Sequence, residues 1–292
     1  MFATLLGPLP RPPLGEDVAP EALTDACLEL QAEHGLEPAT DGGWPITEDP
    51  VASWRETARR TDLLVKAVVV GPYTSGRGDT ATRAAVDGLA DAGCRWIEIH
   101  EPAAITIGSD AEARARFVDA HVALTRDFSP EVHLSLAITG GDADAAGVET
   151  ILAGAYASLA VDLIDGPDNW RLAVDVPGER GVICGALSAH AGSDDGPEVL
   201  LWAARYAAAS KGRGIARVGL ATSGSMADLT WDEAVDKVRR LGDSARLVVA
   251  SPAERRQGLD PRAVDIRSAA LGRVEPVTKQ RPSPTDSKDD PG

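Results

Sequence analysis

Residues 63–102, LLVKAVVVGPYTSGRGDTATRAAVDGLADAGCRWIEIHEP, decide the fold. An apolar, β-branched run (65–71) gives way to a segment rich in Ala, Asp and Arg (79–92), and a second apolar run (95–100) follows Gly93. The outer runs have strand length and the middle one has helical length and spacing, so the stretch reads as strand, crossover helix, strand. Strands joined in this way lie parallel in one sheet, with the helix covering a face.

The rhythm continues in both directions. Strands are expected at 132–137 (VHLSLA), 158–163 (SLAVDL), 181–185 (GVICG) and 216–222 (ARVGLAT), with helices at 110–127, 142–153, 197–211 and 231–241. Thr230, three residues ahead of Glu233, makes a capping-box pattern before the last helix. Towards the amino terminus, 3–8 and 36–40 supply two more strands, with an amphipathic helix over 20–34 between them. Eight strands with crossovers in about 250 residues predict an α/β fold, a (β/α)8 TIM barrel. A ninth apolar run, RLVVA at 246–250, keeps an open doubly wound sheet as the alternative. The expected organisation is one barrel over 1–250, a helical extension over 251–272, and a Pro-rich, polar, disordered tail over 273–292.

Composition excludes several classes of function. The 292 residues carry 45 acidic and 29 basic side chains, a formal charge of −16, which argues against a nucleic-acid or anionic-membrane partner. The apolar runs fall far short of the ~20 residues that cross a bilayer, and the first eight residues, MFATLLGP, meet Gly and Pro too soon for a signal peptide. A cytoplasmic protein is expected. Cys27, Cys94 and Cys184 are isolated, without C-x-x-C spacing, and read as small core residues. No G-x-G-x-x-G follows an expected strand, which disfavours a dinucleotide fold.

In a parallel barrel the carboxyl ends of the strands surround one mouth. Polar residues gather there: Asp41, Tyr73 and Thr74, Glu98 with His100 and Glu101, Asp162, His190, and Ser223. Strand ends also meet water and favour turn residues, which is the plainer explanation for any one of them. In RWIEIHEP, alternation sends Trp96, Glu98 and His100 to one face. A carboxylate inside a barrel needs a partner, and His100 or an arginine is the expected one, forming either an acid–base pair or a buried ion pair that fixes the wall. Pro102 ends the strand and is expected to aim Glu101 at the mouth. His133 reads as a satisfied core histidine, His34 and His121 as surface residues, and His190 as part of a Gly-rich loop that either faces substrate or merely connects. Tyr73 and Thr74, exposed after Gly71-Pro72, read as a substrate rim. Ser223-Gly224-Ser225 lacks the surroundings of a nucleophile elbow.

These motifs, in this order, resemble the cobalamin-independent methionine synthase family, whose barrels belong with the uroporphyrinogen decarboxylases. The likeness runs from about Ala3 to Leu241. It rests on GPLPR (7–11), Asp41-Gly42, VKAVVVGPYT (65–74), AGCRWIEIHEPA (92–103), similar to the family's A-G-x-x-x-I-Q-I-D-E-P-A, and SLAVDLIDGP (158–167). The resemblance implies methyl transfer from a methylfolate to the homocysteine thiol, on a zinc held by His-x-Cys, a Glu and a later Cys. Laid on this chain, those ligands fall at Ser135 and Ala137, near Asp162 and near Ser223, so no metal ligand set is expected although the family uses zinc. His100 stands where the family has a substrate-binding Asp, and Glu101 is retained.

The resemblance thus implies a stand-alone barrel with Glu98, His100 and Glu101 as catalytic candidates. Arg11, Asp41, Tyr73, Thr74, Asp162, His190 and Ser223 are the substrate-binding candidates. The expected partners are a small homocysteine-like or folate-like ligand and a second barrel chain. A non-catalytic binding barrel and a metal-free, decarboxylase-like lyase, with Arg77 or Arg11 lining the mouth, are the alternatives.

Overall fold

The computed structural model describes residues 1–76, 79–193 and 196–259. Arg77, Asp194, Asp195, the end of the expected extension and the whole 273–292 tail lie outside the described residues. Seven strands form one parallel sheet: β1 (Phe2–Thr4), β2 (Ala67–Val70), β3 (Trp96–His100), β4 (His133–Ile138), β5 (Ser158–Asp162), β6 (Gly181–Leu187) and β7 (Val218–Thr222), in the order β1-β7-β6-β5-β4-β3-β2. Helices α1 (Pro20–His34), α2 (Pro50–Ala58), α3 (Pro72–Ser75), α4 (Asp79–Asp91), α5 (Ala111–Thr125), α6 (Val148–Ile151), α7 (Trp170–Asp175), α8 (Pro197–Ala209), α9 (Trp231–Val249) and α10 (Pro252–Gly258) occur between and after the strands. The sheet curls, and the architecture is TIM-barrel-like.

The two faces of the sheet carry different residues. Ile97, Ile99, Leu134, Leu136, Leu159, Val161, Val182, Cys184, Val218 and Leu220 alternate along the strands into the main apolar core beneath the helices. The opposite, inner face holds a separate small cluster of Leu6, Trp96, Ala137, Ala160, Ile183 and Ala221. All three cysteines are buried free thiols, as expected of small core residues; burial pushes Cys27 and Cys184 up to about 12 and Cys94 to about 11.

The structure departs from the sequence reading in three elements. The 36–40 segment is no full strand: it bridges β1 at Ala3–Glu37 and, at Ala39–Val65, the chain two residues ahead of β2, one residue pair each. Pro38 has no N–H to offer a ladder, and the chain turns away at Gly42 and Gly43, both with positive φ. The 246–250 run ends α9 rather than forming a ninth strand; buried residues of that helix, Ala234, Val238, Leu241 and Val248 among them, recur at helical spacing, and Val249 is 62% exposed. The helix expected over 142–153 breaks at Gly147 into a 3₁₀ turn and the short α6, because Gly147 sits at φ +89°. The capping box at Thr230 and Glu233 forms as its spacing requires. Among the described residues no helix is long and apolar enough to cross a membrane.

Candidate functional site at the carboxyl end of the sheet

Register places Val68 beside Glu98 and Val70 beside His100, and partners in register share a face. Lys66, Val68 and Val70 therefore project inward with Trp96, Glu98 and His100. At the amino end, Trp96 stacks on His133 at 3.8 Å, meets Phe2 edge-on at 5.2 Å and donates through Nε1 to Ser135 Oγ. His133 Nε2 lies 2.8 Å from Ser158 Oγ, and burial, aided by the Lys66 charge, lowers its pKa to about 4. It is the satisfied interior histidine that its apolar neighbours predicted.

One layer higher, Lys66 Nζ donates to Glu98 Oε2 at 2.7 Å and to the Leu5 carbonyl at 2.8 Å, with both side chains buried. The partner of Glu98 is thus this lysine, not His100 or an arginine. Burial pushes the Lys66 pKa down and the Glu98 carboxylate opposes the shift. Glu98 Oε1 is buried without a hydrogen bond. Sequence reading passed over Lys66, although the period-two alternation of 65–71 gives it the same face as Val68 and Val70.

Above this pair the inner face opens. Val68 is 45% and Val70 53% exposed, while His100 Nε2 lies 3.0 Å from Thr139 Oγ1. Burial holds the His100 imidazole below its ordinary pKa; Glu98 and Glu101 pull upward and Lys66 downward, leaving a neutral ring at neutral pH. A neutral imidazole beside two uncovered valines can give or take one hydrogen bond next to an apolar surface.

The other expected site residues are turned to local tasks. Glu101 does not point to the mouth: it is fully buried in the outer layer, where Oε1 accepts from Tyr73 N at 2.9 Å and Oε2 from Thr74 N at 2.7 Å. His121 Nε2 lies 3.1 Å from Glu101 Oε1, off the line of a hydrogen bond, and its Nδ1 is 2.5 Å from Tyr156 OH. His121 is therefore a buried residue and not a surface one, because its ring is enclosed by Phe117, Tyr156 and Glu101. Burial raises the Glu101 pKa, but His121 and Thr74 outweigh it and the net shift is downward. The half-buried Tyr73 ring packs edge-on against Phe117 at 5.6 Å, and Thr74 Oγ1 accepts from Ala103 N.

Asp162 is buried and accepts three backbone N–H groups, from Ile164, Asp165 and Gly140; burial raises its pKa against those bonds. Ser223 is buried and its Oγ accepts from Ala189 N. His190 is exposed and pairs with Asp165 at 2.8 Å, joining the loops after β5 and β6. Arg11 is exposed, donates to the carbonyls of Gly15 and Glu16, and lies 5.6 Å over the Trp44 ring. Asp41 accepts from Gly43 N, with its pKa raised by burial. It lines a cavity of about 320 Å³ that runs between 41–48, α2 and β2.

Zinc does not fit these residues. Ala137 has no donor, Ser135 Oγ is tied to Trp96 and the Ile97 carbonyl, Ser223 Oγ is taken by Ala189, and both oxygens of Asp162 hold backbone N–H groups. Among the described residues no three His, Cys, Asp or Glu side chains are grouped to hold an ion.

Two solved structures share this architecture. One, a Listeria monocytogenes protein assigned as a vitamin-B12-independent methionine synthase, superposes with a TM-score of 0.68 at 15% identity, covering 86% of this chain and 100% of that one. The other, a B12-independent methionine synthase from Shewanella sp. W3-18-1 in complex with selenomethionine, superposes with a TM-score of 0.71 at 12% identity, covering 88% and 99%. No protein-family model matches this sequence, and no curated protein matches it. At such identities the likeness is one of fold.

Proposed function

We propose that this chain is a (β/α)8-type barrel, with 36–40 in the place of its second strand, that binds a small molecule at the carboxyl end of the sheet. The observation that carries this reading is the pair of uncovered valines, Val68 and Val70, on the inner face beside the neutral His100. An apolar wall with one convergent hydrogen-bonding group suits a ligand with an apolar body and a polar tip. Homocysteine, methionine and folate-like molecules meet that description. The selenomethionine in the Shewanella structure supports the choice.

Binding, not methyl transfer, is the function we assign. The zinc ligands are replaced by groups already engaged elsewhere, so a thiol would have to be ionised by a side chain. His100 is the group in position, and its pKa lies below the ordinary value. Burial makes it a weaker base than a free imidazole, so it takes a thiol proton less readily than a histidine in water would. Glu101 is turned away and cannot assist.

The test is thermal denaturation and calorimetry with methionine, homocysteine and 5-methyltetrahydrofolate at millimolar concentration. At least one should raise Tm, since a ligand bound only by the native state stabilises it by mass action. Val70→Asp and His100→Ala should each abolish the rise. No shift with any of the three, or a shift that survives both substitutions, overturns the reading. Zinc-dependent formation of methionine by the protein would overturn the assignment of binding alone.

A further inference from the structure

We infer that the free edge of β2 is a docking site for an extended, positively charged peptide segment of a partner protein, which adds to the sheet as a short strand beside Val68–Val70.

The edge can be assigned group by group. Ala39 N donates to Leu64 O and Lys66 N to Ala39 O, so the even-numbered residues of this stretch turn their backbone groups towards 36–40. Gly71 N donates to His100 O, so the odd-numbered ones face β3. By the same alternation Lys66 O, Val68 N–H, Val68 O and Val70 N–H point away from β3. No strand among the described residues pairs with them: β2 ends the sheet, and its bridge on that side is at Val65. An edge of this kind is a ready template for an incoming chain.

The place of the missing strand is kept open. After Thr40 the chain bends off through Gly42 and Gly43, and Leu9 N binds the Gly42 carbonyl at 2.8 Å, which draws this turn to the β1 side. What remains is the cavity of about 320 Å³ with Trp54 in its wall. Trp54 Nε1 is occupied by the Val65 carbonyl, so the indole offers its apolar ring. The side chains of Val68 and Val70 turn to the open inner face, so an added strand would meet them only through its own inward side chains.

Charge selects the occupant. Asp41 and Glu48 line the cavity, and the cation there, Lys66, is buried and neutralised by Glu98. A second copy of this chain, at −16, would be repelled. A segment with alternating small apolar residues and flanking Lys or Arg satisfies the backbone groups, the valines and the carboxylates together.

The experiment uses the full-length protein and the probe acetyl-Lys-Thr-Val-Thr-Lys-amide, with binding followed by calorimetry and backbone amide exchange. The probe should bind and slow exchange at Val68 and Val70 at least tenfold. N-methylation of the probe's amides on one edge, then on the other, should weaken binding at least tenfold for one of the two. Replacing both Lys by Glu should do the same, and Asp41→Asn with Glu48→Gln should weaken the parent probe several-fold. His100→Ala should leave all of this unchanged, which separates the edge from the small-molecule site. Failure of the parent probe to bind, indifference to both N-methylated forms, or equal affinity for the Lys and Glu peptides overturns the inference.

Discussion

Lys66 Nζ and Glu98 Oε2 meet at 2.7 Å on neighbouring strands inside the curl of the sheet, with both side chains withdrawn from water. The pair sits between the aromatic layer of Trp96 and His133 and the open valines, so it forms the floor beneath the mouth. Removing one partner strands a buried charge. Lys66→Met or Glu98→Leu alone should cost about 3–5 kcal/mol, and the double replacement should regain most of it. Urea denaturation of the three variants checks the cycle.

Glu101 sets a pH dependence of the opposite layer. Its folded-state pKa is depressed, so it adds stability above the unfolded value and loses it as pH falls through the folded one. The window opens near the ordinary glutamate value of about 4.3 and extends below it. Glu101→Gln should flatten that part of the stability–pH curve and lower stability at pH 7; an unchanged acid limb would contradict the assignment.

His133 acts higher on the pH scale. Held to about 4 by burial, it is neutral in the folded protein, while the unfolded chain protonates near 6.5. Stability should therefore fall as pH drops from about 6.5 towards 4, and ring-proton resonances of His133 should stay unshifted until near pH 4. His133→Asn should remove this loss.

Gly71 has no side chain because Glu101 occupies the space: a Cβ there would collide with Oε1, Cδ and Cγ of that carboxylate. Gly71→Ala should cost about 1–3 kcal/mol by overpacking. It should also free the Tyr73 and Thr74 amides, which hydrogen exchange would register.

Thr230→Ala removes the side chain that accepts from Glu233 N and breaks the reciprocal box at the start of α9. The expected loss is about 1 kcal/mol, read from the midpoint of a urea transition with unchanged slope.

The six strands in 63–222 were legible because five of them are buried on both faces and β2 mainly on its outer one, which leaves apolar runs with Gly, Pro and polar crossovers between them. The 36–40 segment was legible as extended but not as half-paired, since Pro38 and the glycine turn act together with Leu9, 33 residues earlier than Gly42. Glu98 was recognised as an inward carboxylate; its partner was not, because a lysine in an apolar run carries no sign of which neighbour it will meet. Tyr73, Thr74, Asp162 and Ser223 sat at strand ends as expected, yet the Tyr73 ring packs against Phe117 and each of the other three side chains accepts a backbone N–H of a nearby loop.

Local residue chemistry by itself determined the order and parallel arrangement of the strands, the inward face of β3 and the lack of zinc donors at the matching positions. These depend on periodicity and on which atoms a side chain possesses, both local properties. Only the tertiary structure decided that Lys66 answers Glu98, that Glu101 turns outward to His121, and that the edge of β2 is left unpaired. Each of those outcomes depends on which groups compete for the same hydrogen bonds and the same buried space, and that competition exists only once distant segments have packed together.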